Sequence, residues 1–288
     1  MSKTTISLIA VAVVGIAAGI GIAFSSQEII QESNEHKTFL SNSSLSCNCV
    51  AFRLDDVVDQ KPGYLQFVVI DYFMEKEIPL TIGIIGNQFG NDQYTIDFLK
   101  NHMQNHGEDL EIANHGWNHE DFRKFSLDEQ NSLIKNTNKK ISDKLNTSPF
   151  VFIPPYNYFD DNTIAALKQN GISHLSSISS LDEPAISDDK SDFYHLPTTS
   201  TTAEYNQNMM WTQWTGKKTI EFIEKSILEY GYAVVMMHPR DFGQFAKPGN
   251  AVSATQMQEL DYIIAKIQES GYEIVPIGKI ITKSNIIS

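Results

Sequence analysis

From Val50 onward the chain alternates short apolar runs with segments of helical periodicity, and this alternation restricts the fold more than any other feature. The runs are VAFRL, PLTIGII (79–85), LEIAN (110–114), PFVFI (149–153), SHLSS (173–177), FYHLP (193–197), YAVVMM (232–237) and YEIVPI (272–277). Helical patterns lie between many of them. YLQFVVIDYFMEKE has apolar residues at helical spacing, and the segment from Ser126 opens on a capping box completed by Glu129. Gly171, Gly231 and Gly271 each close a helical pattern, and Ser253 caps the last one. Such repetition predicts an α/β fold with a parallel sheet and helices outside it. A closed (β/α) barrel is the leading arrangement for six to eight strands in a domain of about this size. An open doubly wound sheet comes second, and no GxGxxG follows the first run to support a dinucleotide site. The interval 177–213 is less regular and reads as loops and short strands.

Hydrophobic residues make up 41% and charged residues 20% of the 288, enough for one sizeable core and too apolar for global disorder. The net charge of −13, with no basic run, argues against a nucleic-acid partner. Residues 5–24 are apolar and uncharged and follow Lys3, a length suited to a bilayer crossing of ~20 residues. The apolar part of a cleaved signal is usually shorter, ~7–15 residues, although Ala23-Phe24-Ser25 would serve as a cleavage site. The organisation expected is a membrane anchor or signal in 1–25, a polar linker in 26–46 and one folded domain in 47–288, outside the cytoplasm. Cys47 and Cys49 are too close for a zinc-knuckle pair and read as ordinary thiols or a local bridge.

In parallel α/β sheets, reactive groups collect at the carboxyl ends of the strands. Several reactive residues pass this filter. Asp55 and Asp56 end the first run, His115 and His119 follow the third, Pro154-Pro155-Tyr156 follows the fourth, and His238 ends a late one. Taken singly, an Asp pair is usually a turn or cap, an HxxxH a solvent-facing helix pair, and a lone His a core residue. Their convergence on one face carries the metal reading. His115 and His119, four apart, would share a face if they lay on a helical turn. Asp56 would complete a three-ligand site with an open position, as a hydrolytic zinc centre requires. Asp55 beside it would accept the proton of a water. Arg53 lies two residues from Asp55, hence on the same side of the strand, either to steady that acid or as a plain structural ion pair.

The order DD, HGWNH, PPY, MMH resembles the polysaccharide deacetylases of the NodB-homology type, over roughly Val50 to Ile281. The resemblance implies a distorted (β/α) barrel of about seven parallel strands. It also implies removal of N- or O-linked acetyl groups from an acetylated glycan and one divalent metal ion, commonly zinc. In that scheme Asp55 is the base, and Asp56, His115 and His119 hold the metal. Tyr156 lends its backbone N–H to the oxyanion, and His238 protonates the leaving group. Outside that scheme, Arg53, Pro155 and Trp117 are further candidates for the oxyanion or substrate side of the site. Two positions depart from the pattern. Val57 stands where glycine is usual, and Ile153 stands where an arginine commonly precedes the prolines. The acid and tryptophan that orient the last histidine have no clear counterpart, although Asp241 is near and Trp211 and Trp214 are candidate sugar platforms. Other readings of the residues are hydrolysis of another C–N bond, such as an amide or imide, a ferrous oxygenase, and a metal-retaining sugar-binding module without turnover.

Overall fold

The first strand, β1 (Cys49–Val57), lies in the middle of the sheet and is buried on both faces. The structure is a computed structural model and describes residues 47–59, 64–180, 193–244 and 251–280. The apolar segment 5–24 and the linker 26–46 lie outside the described residues, and among the described residues no helix is long and apolar enough to cross a membrane.

β1 pairs in parallel with β2 (Leu80–Ile84) on one side and with β10 (Tyr232–Met237) on the other. Beyond β2 come β3 (Leu110–Asn114), β4 (Val151–Phe152), β5 (His174–Leu175) and β6 (Tyr194–His195). β7 (Ser200–Thr201) lies beyond β10, and β11 (Glu273–Ile274) adds to the start of β1. All these pairings are parallel. The eight strands from β6 to β7 form a curled half-barrel. The stretch 194–201 joins its two edges. The Leu196 and Thr198 amides donate to Leu175 and Ser177 on one side, and the Thr199 amide donates to Val234 on the other. A small antiparallel hairpin, β8 (Ala203–Tyr205) and β9 (Trp211–Gln213), stands apart from the sheet.

The period of two along each strand divides the interior into two layers. Val50, Phe52 and Leu54, with Leu80, Ile82, Val235 and Met237, pack against the helices 64–75, 216–230 and 254–269. Cys49 and Ala51 face the other way, among Ala113, Val151, Ile153, Tyr232 and Val234, and Arg53 and Asp55 continue that column toward the carboxyl end. Cys47 and Cys49 form the local disulfide. A polar helix, Gln93–His106, capped by Asp92 at the Tyr94 amide, joins the helices expected from periodicity.

The amino end of the half-barrel is closed by the turn Ile277–Lys279. Buried Glu111 holds it there. Its carboxylate accepts from Thr81 Oγ1 at 2.8 Å and from the Gly278 amide at 3.1 Å. Gly278 is required by close approach, because a Cβ there would fall on the Phe150 ring and the Glu111 carboxylate. Burial outweighs these hydrogen bonds and raises the Glu111 carboxyl to about 7. A folded-state value above the ordinary 4.5 means that protonated Glu111 favours the fold. This contribution is full below about pH 4.5 and is lost as pH rises through about 7. Glu111→Gln is therefore expected to flatten stability between pH 5 and 8, removing a slope of at most about 3 kcal/mol. Urea unfolding of both proteins at the two pH values checks this, and an unchanged slope would assign the pH dependence elsewhere.

Candidate metal centre and catalytic site

The carboxyl end of the sheet gathers the reactive residues. Asp55 and Asp56 do not simply alternate along β1. The β1–β2 register shifts between Leu54 and Val57, and Asp56 has φ +64°. This local distortion breaks the period of two at the end of the strand. Asp56 Oδ1 lies 3.2 Å from His115 Nε2 and 3.2 Å from His119 Nε2. One ligand atom from each of the three residues falls within 4.8 Å of the others.

His115 follows β3 directly, and its amide donates to the Ile84 carbonyl. The stretch to His119 is an irregular turn, not the helical turn that the spacing suggests. Gly116 at φ +74° and His119 at φ +61° shape it. The Asn114 side chain accepts from the Gly116 amide, the Asn87 amide donates to the Trp117 carbonyl, and Thr137 Oγ1 donates to the Gly116 carbonyl. A Cβ on Gly116 would come within 3.0 Å of Pro155, which is buried and packs the turn against the segment after β4. The Trp117 ring lies against Gly86 and near Lys140, so it braces the turn from the side. Left-handed backbone at Asp56, His119, Tyr156 and Asn157 costs of order 1–3 kcal/mol per residue. Such strain collects at functional sites.

The donor set suits a divalent cation. His115 Nδ1 lies 2.7 Å from the Ile153 carbonyl. Donation there leaves Nε2 as the lone-pair nitrogen facing Asp56, with the ring held by the carbonyl behind it as in a metal-binding histidine. Ile153, standing where an arginine was expected, thus serves the site through its backbone. Burial by itself would raise the Asp56 carboxyl. Hydrogen bonds with His115 and His119 outweigh it and hold Asp56 far below the usual carboxylate range.

Asp55 is 3% exposed. Its Oδ2 accepts from Arg53 Nη2 at 3.0 Å, while Oδ1 is buried with no hydrogen-bond partner. Arg53 is fully buried. It also donates to Asn157 Oδ1 at 2.6 Å, to Ser176 Oγ at 3.0 Å and to the Ser176 and Ser177 carbonyls. Burial lowers its pKa from the usual value despite Asp55 alongside. Arg53 therefore ties β1 to the ends of β4 and β5.

His238 follows β10. Asp241, three residues on, organises its surroundings. Asp241 Oδ2 accepts from the His238 amide at 2.8 Å and from Thr202 Oγ1 at 2.8 Å, and Oδ1 accepts from Trp211 Nε1 at 2.8 Å. Trp211 meets the His238 ring edge-on, with centroids 5.2 Å apart. Burial would lower the His238 pKa, but Asp241, with Asp55 and Asp56 farther off, prevails and raises it. Tyr156 is exposed and packs edge-on against His119 at 4.5 Å. Trp214 is buried beneath Lys218 and beside Phe222, which removes it as a sugar platform.

Fold and site together define a parallel half-barrel with two imidazoles, one carboxylate and a spare buried acid at its carboxyl end. The family model for polysaccharide deacetylases matches residues 43–175, the span holding Asp55, Asp56, His115, His119 and Tyr156. Solved structures share the fold. A polysaccharide deacetylase from Mycobacterium smegmatis is 16% identical, with a TM-score of 0.60, covering 83% of this chain and 91% of that one. A family 4 acetyl xylan esterase from Clostridium thermocellum, in complex with a cobalt ion, is 19% identical, with a TM-score of 0.55 and coverage of 82% and 91%. A CE4-family pseudoenzyme from Bacillus anthracis is 17% identical, with a TM-score of 0.54 and coverage of 82% and 66%. No curated protein matches the sequence.

Proposed function

We propose that this protein is a metal-dependent hydrolase that removes acetyl groups from N-acetylated, or O-acetylated, sugars of an extracytoplasmic glycan, with zinc as the cation. The observation that carries this reading is the buried Asp55, held by Arg53 through one oxygen and unpartnered at the other, beside the Asp56–His115–His119 cluster. A sugar-binding module has no need of such an acid, whereas hydrolysis does.

Asp56, His115 and His119 would hold the cation. When bound, a divalent cation polarises an acetyl carbonyl and lowers the pKa of water toward ~7. Asp55 Oδ1 takes the proton of the attacking water, and Arg53 keeps that carboxylate oriented. The Tyr156 N–H holds charge developing on the carbonyl oxygen. His238, whose pKa its acidic neighbours raise, gives a proton to the departing amine or alkoxide. Acetate and a free amine or hydroxyl result. The apolar segment 5–24 supports an anchored or secreted protein that reaches a cell-surface or extracellular glycan.

The test is acetate release by the full chain from acetylated chitin oligomers and from small amides, with metal content measured alongside. Chelation is expected to abolish release, and zinc to restore it. Bound metal without release from any acetylated glycan would favour the binding module, and release from small amides alone would favour the other C–N hydrolase.

A further inference from the structure

Arg240 stands at the rim of the site, beside the Trp211–His238 pair. It is exposed and forms no ion pair among the described residues. Its guanidinium lies over the Trp211 ring at 3.7 Å and is 5.8 Å from the Tyr205 ring. Tyr205 and Trp211 meet edge-on at 4.8 Å across the β8–β9 hairpin. Trp211 is itself fixed, since its indole N–H donates to Asp241 and its ring meets His238. The other arginine near the mouth, Arg123, also lies over an aromatic ring, Tyr158, but it is forked onto Asp121 through Nε and Nη2, both at 3.0 Å. Arg240 has no such acid among the described residues.

The geometry points to Arg240 as a specificity-determining residue that receives a carboxylate carried by the glycan substrate, a uronic acid or a lactyl ether near the acetylated sugar. An exposed guanidinium lying over an indole leaves N–H donors open to solvent, and such a fork matches a carboxylate in bidentate fashion. Stacking also settles the side chain before the ligand arrives, so less entropy is lost on binding. In a chain of net charge −13, a cation at the mouth with no acid partner among the described residues is a local exception that would draw an anionic sugar past a repulsive surface. The position, two residues after His238, puts such a carboxylate next to the reacting sugar rather than along a distant groove.

This inference rests on the deacetylase reading, and its test separates the two. A carboxylate-bearing N-acetylated glycan is compared with the same glycan after its carboxylates have been reduced to alcohols. Binding by calorimetry and acetate release are both measured, for the full chain and for Arg240→Gln and Arg240→Lys. The parent is expected to bind the carboxylated form at least tenfold more tightly. Arg240→Gln should erase that preference while leaving the reduced form within about threefold, and Arg240→Lys should restore part of it. Loss of affinity for both glycans alike, or no preference in the parent, overturns the role of Arg240 even if acetate is released. Preferential binding that depends on Arg240 without acetate release sustains it while the hydrolase reading fails.

Discussion

Asp55→Asn is expected to bind metal as the parent does and to release acetate about 10²–10⁴-fold more slowly, the usual contribution of a positioned base. The amide keeps the volume and can still accept from Arg53 at the position of Oδ2. What it loses is the basic oxygen at Oδ1, which is buried and has no partner to compensate for its change. Metal stoichiometry and kcat/KM are the two readouts. A loss of metal together with activity would make Asp55 a ligand or a structural acid. Turnover within threefold of the parent would remove it from proton transfer altogether.

Arg53→Met is expected to produce the largest loss of stability. Arg53 is the buried counter-charge of Asp55, and four further acceptors depend on it: Asn157 Oδ1, Ser176 Oγ and the Ser176 and Ser177 carbonyls. Breaking a buried pair by removing one partner usually costs about 3–5 kcal/mol, because an uncompensated charge remains. Denaturant unfolding should register a loss of that order, with activity reduced in whatever protein stays folded. Combining Arg53→Met with Asp55→Asn should cost less than the two single losses added together, since the double variant leaves no buried carboxylate behind. Additive losses would mean that Arg53 acts through the β4 and β5 ends and not through Asp55.

Most of the sheet was legible because its strands are apolar runs that the barrel buries on both faces, and because Ser126, Ser253 and Gly231 punctuate the helices at positions where the structure has caps. The common face of Arg53 and Asp55 follows from the period of two. What the sequence hides has physical reasons. β7 is a Ser-Thr pair, and the β8–β9 hairpin lies outside the sheet, so neither carries an apolar signature. The helix 93–106 is too polar to announce itself by periodicity. The spacing of His115 and His119 fits a helix, yet the pair is brought together by a turn with left-handed residues, a conformation that residue type alone does not predict for a histidine. Asp241 and Trp211 are 30 residues apart in the chain and meet where the β8–β9 hairpin turns its indole N–H to the end of β10. Their partnership is a tertiary fact that no local pattern contains.

The placement of β1 between β2 and β10 has a consequence for how the molecule comes into being. Cys49 is registered with Tyr232, and the stretch following β10 supplies the plug through Val275 and Ile277. A growing polypeptide therefore holds one flank of its central strand open until β10 has been made. Unpaired edges of this kind invite pairing with other molecules, and distant pairings form slowly. Assembly of this protein is thus most exposed to aggregation late, and whatever shields β1 during that interval governs the yield of folded protein.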